Sequence, residues 1–214
     1  MNYKLKSSHL YICLALLSIA ITLIFNMLLV TKKVYFNTYS QFDNTRVEEM
    51  FDFQHKYIWI GYLLIPVWLL IKTFVVSLTL QIGTLIQGFK LKFSQTLRVA
   101  LMAEFIFILP QIIKLFWFLV VQKEYTLIDL QQFYPLSALN FFSLKNLSVI
   151  FIYPFQTFNI FEVLYWITLA IGIRLELDKN VDLGIKVVFS GYIPALFLWI
   201  LVIAFITVSI SPLN

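Results

Sequence analysis

The sequence predicts an all-α, polytopic transmembrane helical bundle of about five spans. Three observations carry that expectation. The 214 residues are 61% hydrophobic and only 13% charged, about half the charge of an ordinary soluble domain. The apolar residues gather in runs near the roughly 20 residues a spanning helix needs. Four ionisable residues, Lys72, Glu104, Lys114 and Glu162, lie inside those runs, where each costs roughly 2.5–3.5 kcal/mol on insertion scales. Helices that carry such groups must pack together and turn them inward.

The first run covers residues 10–30. Lys4 and Lys6 precede it, as in a signal peptide, but it exceeds the 7–15 residues of a signal core and no small-residue cleavage site follows. It is therefore expected to be a retained span. Cys13, the only cysteine, is expected to be a small buried hydrophobe. Residues 31–56 are polar and mixed in charge, with a short solvated helix expected at 46–53. The second span covers 57–89, long enough to tilt or to project, and the third covers 99–121. Residues 122–154 are too rich in aromatics and proline for a soluble loop. Within them, 133–154 reads as an interfacial or re-entrant segment, or as a loop packed on the bundle. The fourth span covers 155–173 and the fifth 187–210. All belong to one membrane domain.

Orientation follows from Lys and Arg placement. With the amino terminus inside, three short inner segments hold eight basic and three acidic residues. Two longer outer loops hold six of each. The net charge of +5 thus falls on the cytoplasmic face, which predicts the amino terminus in and the carboxyl terminus out. The basic residues are dispersed, so topology explains them and nucleic acid is not an expected partner. The expected surroundings are a lipid bilayer, the cytoplasmic membrane if the source is bacterial. A protein partner in the membrane, or a second copy of the chain, is compatible with this reading.

The polar residues in the spans form stripes. Glu104, Gln111 and Lys114 project at about 0°, −20° and −80° around their helix. Glu104 and Lys114 are about 15 Å apart along the axis, too far to pair. Glu162 is within reach of Lys114 or of Lys72. Glu104 is placed nearer the cytoplasmic face, beside Lys90, Lys92 or Arg98, or snorkelling. Thr73, Ser77, Thr84 and Gln87 gather on one side of span two, and Ser18, Thr22 and Asn26 follow i, i+4, i+8 on span one. Residues of this kind join helices in lipid. Pro110, between Glu104 and Lys114, frees the carbonyl near Ile106 and opens the helix locally. A faint repeat relates 78–83 to 167–172, each before a charged inner loop and a span containing proline (Pro110, Pro194). It puts Lys72 and Glu162 at similar depths, roughly 15–17 Å from Gly83 and Gly172.

Enzyme templates are missing. His9 and His55 lie outside the predicted spans, and no H-E-x-x-H, G-x-S-x-G or phosphate-binding loop occurs. Glu48-Glu49 reads as a solvated acidic patch. No metal site and no cofactor are expected, and no catalytic residue is named. The expected function is a non-enzymatic membrane protein, a scaffold or accessory subunit of a membrane complex. The alternative is a transporter or lipid-handling protein using Lys72, Glu104, Gln111, Lys114 and Glu162.

Residues 93–100, FSQTLRVA, precede an apolar helix with a central proline. Residues 158–166, FNIFEVLYW, lead into Leu169-Ala170-Ile171-Gly172. Over residues 90–214 the chain resembles the Yip1 family of small polytopic membrane proteins. Asn159 stands where an acid is frequent in that family, and Trp166 falls later than the usual aromatic. The resemblance implies a five-span helical bundle. The vesicle-traffic role of eukaryotic members works through a cytosolic amino-terminal region. Nine residues precede span one here, so that role is not expected to carry over.

Overall fold

The computed structural model describes residues 6–143 and 147–210, all helix and connecting turns, with no strand among them. Lys4 and Lys145, counted in the charge balance, lie outside the described residues, as does part of the segment 133–154.

In chain order the helices are α1 (Ser7–Leu29), α2 (Lys32–Thr38), α3 (Asn44–Ile86), α4 (Phe93–Glu104) and α5 (Ile108–Phe116). There follow α6 (Leu127–Gln132), α7 (Val149–Thr157), α8 (Ile160–Leu177), α9 (Val181–Val187) and α10 (Ile193–Ile210). A 3-10 turn, Phe105–Phe107, joins α4 to α5, and π turns follow α5 (Trp117–Val121) and α9 (Val188–Tyr192). Four helical stretches are long and apolar enough to cross a membrane: Ser7–Leu29, Asn44–Ile86, Phe93–Val121 and Val181–Ile210. Only 17–28% of each apolar stretch is buried in the protein. The rest of that surface needs hydrocarbon around it. Helix α8 has 18 residues but carries Glu162, Arg174 and Glu176, and is not among the four.

Several expected boundaries move. The short helix at 46–53 is the first part of α3. Asp43 caps it by accepting from the Thr45 backbone N–H at 3.2 Å, and no breaker follows before the apolar run. Helix α3 is 43 residues long, about 65 Å, against a hydrocarbon core of about 30 Å. Its first part therefore projects, with α2 folded against it. The Tyr35 ring meets Phe51 edge-on at 5.3 Å, the Tyr35 hydroxyl donates to Gln54, and Lys32 reaches Glu48 at 3.9 Å. The helix expected from 155 starts at Ile160 as α8, because the helical run is interrupted at 158–159. There Ala138 N–H donates to Phe158 O at 2.8 Å, and Asn159 caps α8 by accepting from Glu162 N–H at 2.8 Å. The segment 133–154 contributes a 3-10 turn (Ala138–Phe141) and most of α7, which packs on α10. Cys13 is exposed on the outer face of α1, not buried.

The turn freed by Pro110 is the 3-10 segment Phe105–Phe107, and the turn before Pro194 is the π segment Val188–Tyr192. The main core joins α3, α4, α8, α9 and the π turn through Leu80, Ala100, Tyr165, Leu169, Ile173 and Val187. Close approach makes this possible. A Cβ on Gly83 would lie 2.3 Å from Val187 O, and one on Gly191 would lie 2.2 Å from Thr79 O. A second core joins α1 to α3, α4 and α5 through Leu14, Leu69, Leu101 and Ile108.

Candidate functional site

The turn between α3 and α4, residues 87–92, folds back at Gly88, whose φ of +78° is the left-handed region glycine enters freely. Lys72 precedes the end of α3 by about 21 Å of helix. Glu104 follows the start of α4 by about 17 Å. An antiparallel hairpin therefore sets them face to face near mid-core. Lys72 Nζ donates to Glu104 Oε2 at 3.0 Å, and Nζ lies 3.9 Å from the centre of the Phe107 ring. The other carboxylate oxygen, Oε1, accepts from the Tyr165 hydroxyl at 2.9 Å. Both oxygens of a carboxylate that is only 4% exposed are thus satisfied.

A second cluster is built alike on the next hairpin. Glu162 of α8 accepts at Oε1 from Tyr192 O–H at 2.7 Å and from Trp166 N–H at 2.8 Å. Tyr165, fully buried one turn from Glu162, places its ring between those of Phe107 (4.9 Å) and Tyr192 (5.4 Å), tilted against both. The two carboxylates are separated by this aromatic layer.

The partners differ from those the sequence offered. Lys72 pairs with Glu104, not Glu162. Glu104 meets none of Lys90, Lys92 and Arg98; Arg98 binds Glu176 at 3.1 Å at the charged end of the bundle, where Gln95 also donates to Glu176 at 3.0 Å. Lys114 meets no carboxylate among the described residues. Its ammonium lies 5.5 Å from the Phe25 ring and 5.9 Å from the Tyr134 ring, a cation–π setting. Tyr165 and Tyr192 were missed from the sequence because an uncharged phenol inside an apolar run gives no charge signal. The distance of each from its hairpin turn was the usable clue.

Between α1, α3 and the α4–α5 bend lies a cleft of about 430 Å³. Ser18 and Thr22 line it from α1, Trp68 and Lys72 from α3, and Phe107 and Gln111 from the bend. It brings together Lys72, Glu104 and Gln111 of the predicted residues and leaves out Lys114 and Glu162. Trp68 and Leu64 on its rim are more than half exposed, so it opens sideways along the apolar surface. Tyr11 O–H, donating to Pro66 O at 2.8 Å, and Asn26, donating to Tyr62 Oη at 3.2 Å, hold α1 against α3 beside it. Of the two charged groups lining the cleft, Lys72 is the more exposed, its side chain at one-third against 4% for Glu104, and its ammonium carries N–H donors beyond the one given to Glu104. Among the described residues no group of three or more His, Cys, Asp or Glu is placed to hold a metal.

Compared with known protein families, with curated proteins and with solved structures, the chain matches none of them.

Proposed function

We propose that this chain is a multi-pass membrane protein that handles lipid through the lateral cleft, without catalysing a reaction. One observation carries the reading: Lys72, Ser18 and Thr22, with Gln111 at the rim, line a cleft open to the side, and Lys72 lies about 21 Å of helix from the end of α3. Ionisable groups at that depth mark sites by default. Among the described residues the ionisable groups lining the cleft are Lys72 and Glu104, and they are bonded to each other, so neither is placed as a free base to activate a nucleophile.

The scaffold or accessory-subunit reading ranks second. It needs a small polar stripe on an outer face, and the α3 stripe is turned inward. Thr73, Ser77 and Thr84 are buried, with the Ser77 and Thr96 hydroxyls 2.7 Å apart.

The proposal includes α8 as a fifth span, the amino terminus inside, and residence in the cytoplasmic membrane if the source is bacterial. The five-span count of the Yip1-like segments at 93–100 and 158–172 agrees with it. The α3–α4 and α8–α9 turns, with Lys90, Lys92, Arg174, Lys179 and Lys186, then share the inner face. The test of function is reconstitution in vesicles carrying photoreactive lipids. Labelling concentrated on the stretches 14–22 and 61–72 supports the cleft; labelling spread evenly over all outward faces refutes it. A carboxyl-terminal reporter found inside would overturn the orientation.

A further inference from the structure

We infer that the cleft takes an uncharged lipid whose head carries a hydrogen-bond acceptor, such as the hydroxyl and ester oxygens of a diacylglycerol, in preference to a phospholipid. The inference rests on the lipid-handling reading of the cleft and adds the class of its occupant.

Depth is the first argument. Lys72 and Glu104 lie about 17–21 Å of helix from the ends of α3 and α4 at the charged face. The hydrocarbon core is about 30 Å thick, so the middle lies about 15 Å from either side. Phosphate headgroups stay at the two faces, and burying one here without a full countercharge is costly. Uncharged lipids reach this depth without that cost.

Charge is the second. The Glu104 carboxylate already neutralises Lys72 at 3.0 Å. Gln111, Ser18 and Thr22 add no charge, so the floor sums to zero. A phosphate monoester would bring one or two uncompensated negative charges into it. An ester carbonyl or a hydroxyl brings none.

Donor arithmetic is the third. Glu104 is 4% exposed, and its two oxygens accept from Lys72 and Tyr165. It offers the cleft almost nothing. Lys72 has three N–H donors and uses one on Glu104. Gln111, exposed at the rim, adds an amide. The Thr22 hydroxyl is taken by Ser18 O at 2.8 Å and the ammonium also rests on the Phe107 ring, so the donors left to the cleft are the rest of the Lys72 ammonium and the Gln111 amide, which an acceptor head complements. Trp68, Leu64 and Ile65 lead outward from it as an apolar wall for the acyl chains.

The experiment uses the full chain in vesicles with three probes that share one diazirine-bearing acyl chain, the reactive carbon close to the head. The first is diacylglycerol, the second phosphatidic acid with the same chains, the third the chain as a plain hydrocarbon. Labelled residues are mapped by mass spectrometry. Diacylglycerol should label the stretches 14–22 and 61–72 well above both other probes. Lys72→Met with Glu104→Gln, which removes both charges and leaves Tyr165 an acceptor, should reduce that labelling about tenfold. Gln111→Leu disturbs no interior partner and should reduce it about threefold.

Phosphatidic acid labelling as strongly as diacylglycerol would overturn the preference and leave the cleft reading intact. Equal labelling by the plain hydrocarbon would overturn the acceptor requirement. If none of the three labels the cleft, the lipid-handling reading fails, and this inference with it.

Discussion

The Lys72 ammonium meets the Glu104 carboxylate at 3.0 Å, yet only the lysine is appreciably exposed, its side chain at 33% against 4%. Breaking this pair from either side has unequal consequences. Lys72→Leu leaves a buried carboxylate without its cation and should cost about 3–5 kcal/mol. Glu104→Leu should cost less, because Lys72 is one-third exposed and retains the Phe107 ring. Lys72→Leu with Glu104→Leu should recover most of the loss, as buried pairs often exchange for apolar residues near neutrality. Unfolding in mixed micelles measures all three; a double variant no better than Lys72→Leu alone would show that the pair is not what binds these helices.

Glu162 should tolerate Gln and not Leu. Gln keeps an oxygen for the Tyr192 O–H and the Trp166 N–H. Leu leaves the buried Tyr192 hydroxyl without a partner, at about 1–3 kcal/mol, and frees the half-buried Trp166 N–H as well. Tryptophan fluorescence during unfolding reads the difference. Equal stability of the two variants would mean that these hydrogen bonds contribute nothing.

Gly83→Ala and Gly191→Ala should each destabilise by about 1–3 kcal/mol. In each case the new methyl meets backbone, at 2.3 Å and 2.2 Å, which cannot swing aside. Gly61 has nothing within 4 Å of its missing Cβ, so Gly61→Ala should leave thermal stability in detergent unchanged or slightly raised. A midpoint for Gly83→Ala equal to that of the native chain would contradict the close α3–π-turn contact.

The start of α3 should weaken in acid. The hydrogen bonds from Thr45 hold the Asp43 carboxyl below its ordinary 3.8. A carboxylate with a lowered folded-state pKa stabilises fully above the ordinary value, and that help disappears as pH falls through the folded value. Amide exchange at residues 45–47 should therefore accelerate, beyond its intrinsic change, between about pH 5 and about pH 3. In Asp43→Asn the extra acceleration should vanish; if it persists, another group is responsible.

Helix class, the long apolar stretches and the inward turn of Glu104 and Glu162 were legible from runs and charge alone. The partner of Lys72 was not. The faint repeat of 78–83 in 167–172 drew attention to Lys72 and Glu162 as depth-matched residues, whereas equal distance from one hairpin turn governs which residues meet. Counted from residues 87–92, Lys72 and Glu104 are within about one helical turn of equal distance, and Glu162 and Tyr192 are similarly placed about the α8–α9 turn. The merging of 46–53 into α3 was missed because polarity marked it as loop, although nothing between residues 44 and 65 breaks a helix. Cys13 faces outward because lipid, unlike water, does not select against a thiol on the outer face of α1.

Helix α3 runs as one α-helix from Asn44 to Ile86, with Pro66 inside it. Such a rod behaves as a lever with its pivot in the bilayer. A lean of about 10° in the lipid would swing the outer 30 Å or so sideways by about 5 Å, carrying α2 with it. Pro66, inside α3 beside the cleft and bonded through its carbonyl to Tyr11, removes one helix hydrogen bond there and sets the place where such a lean would bend.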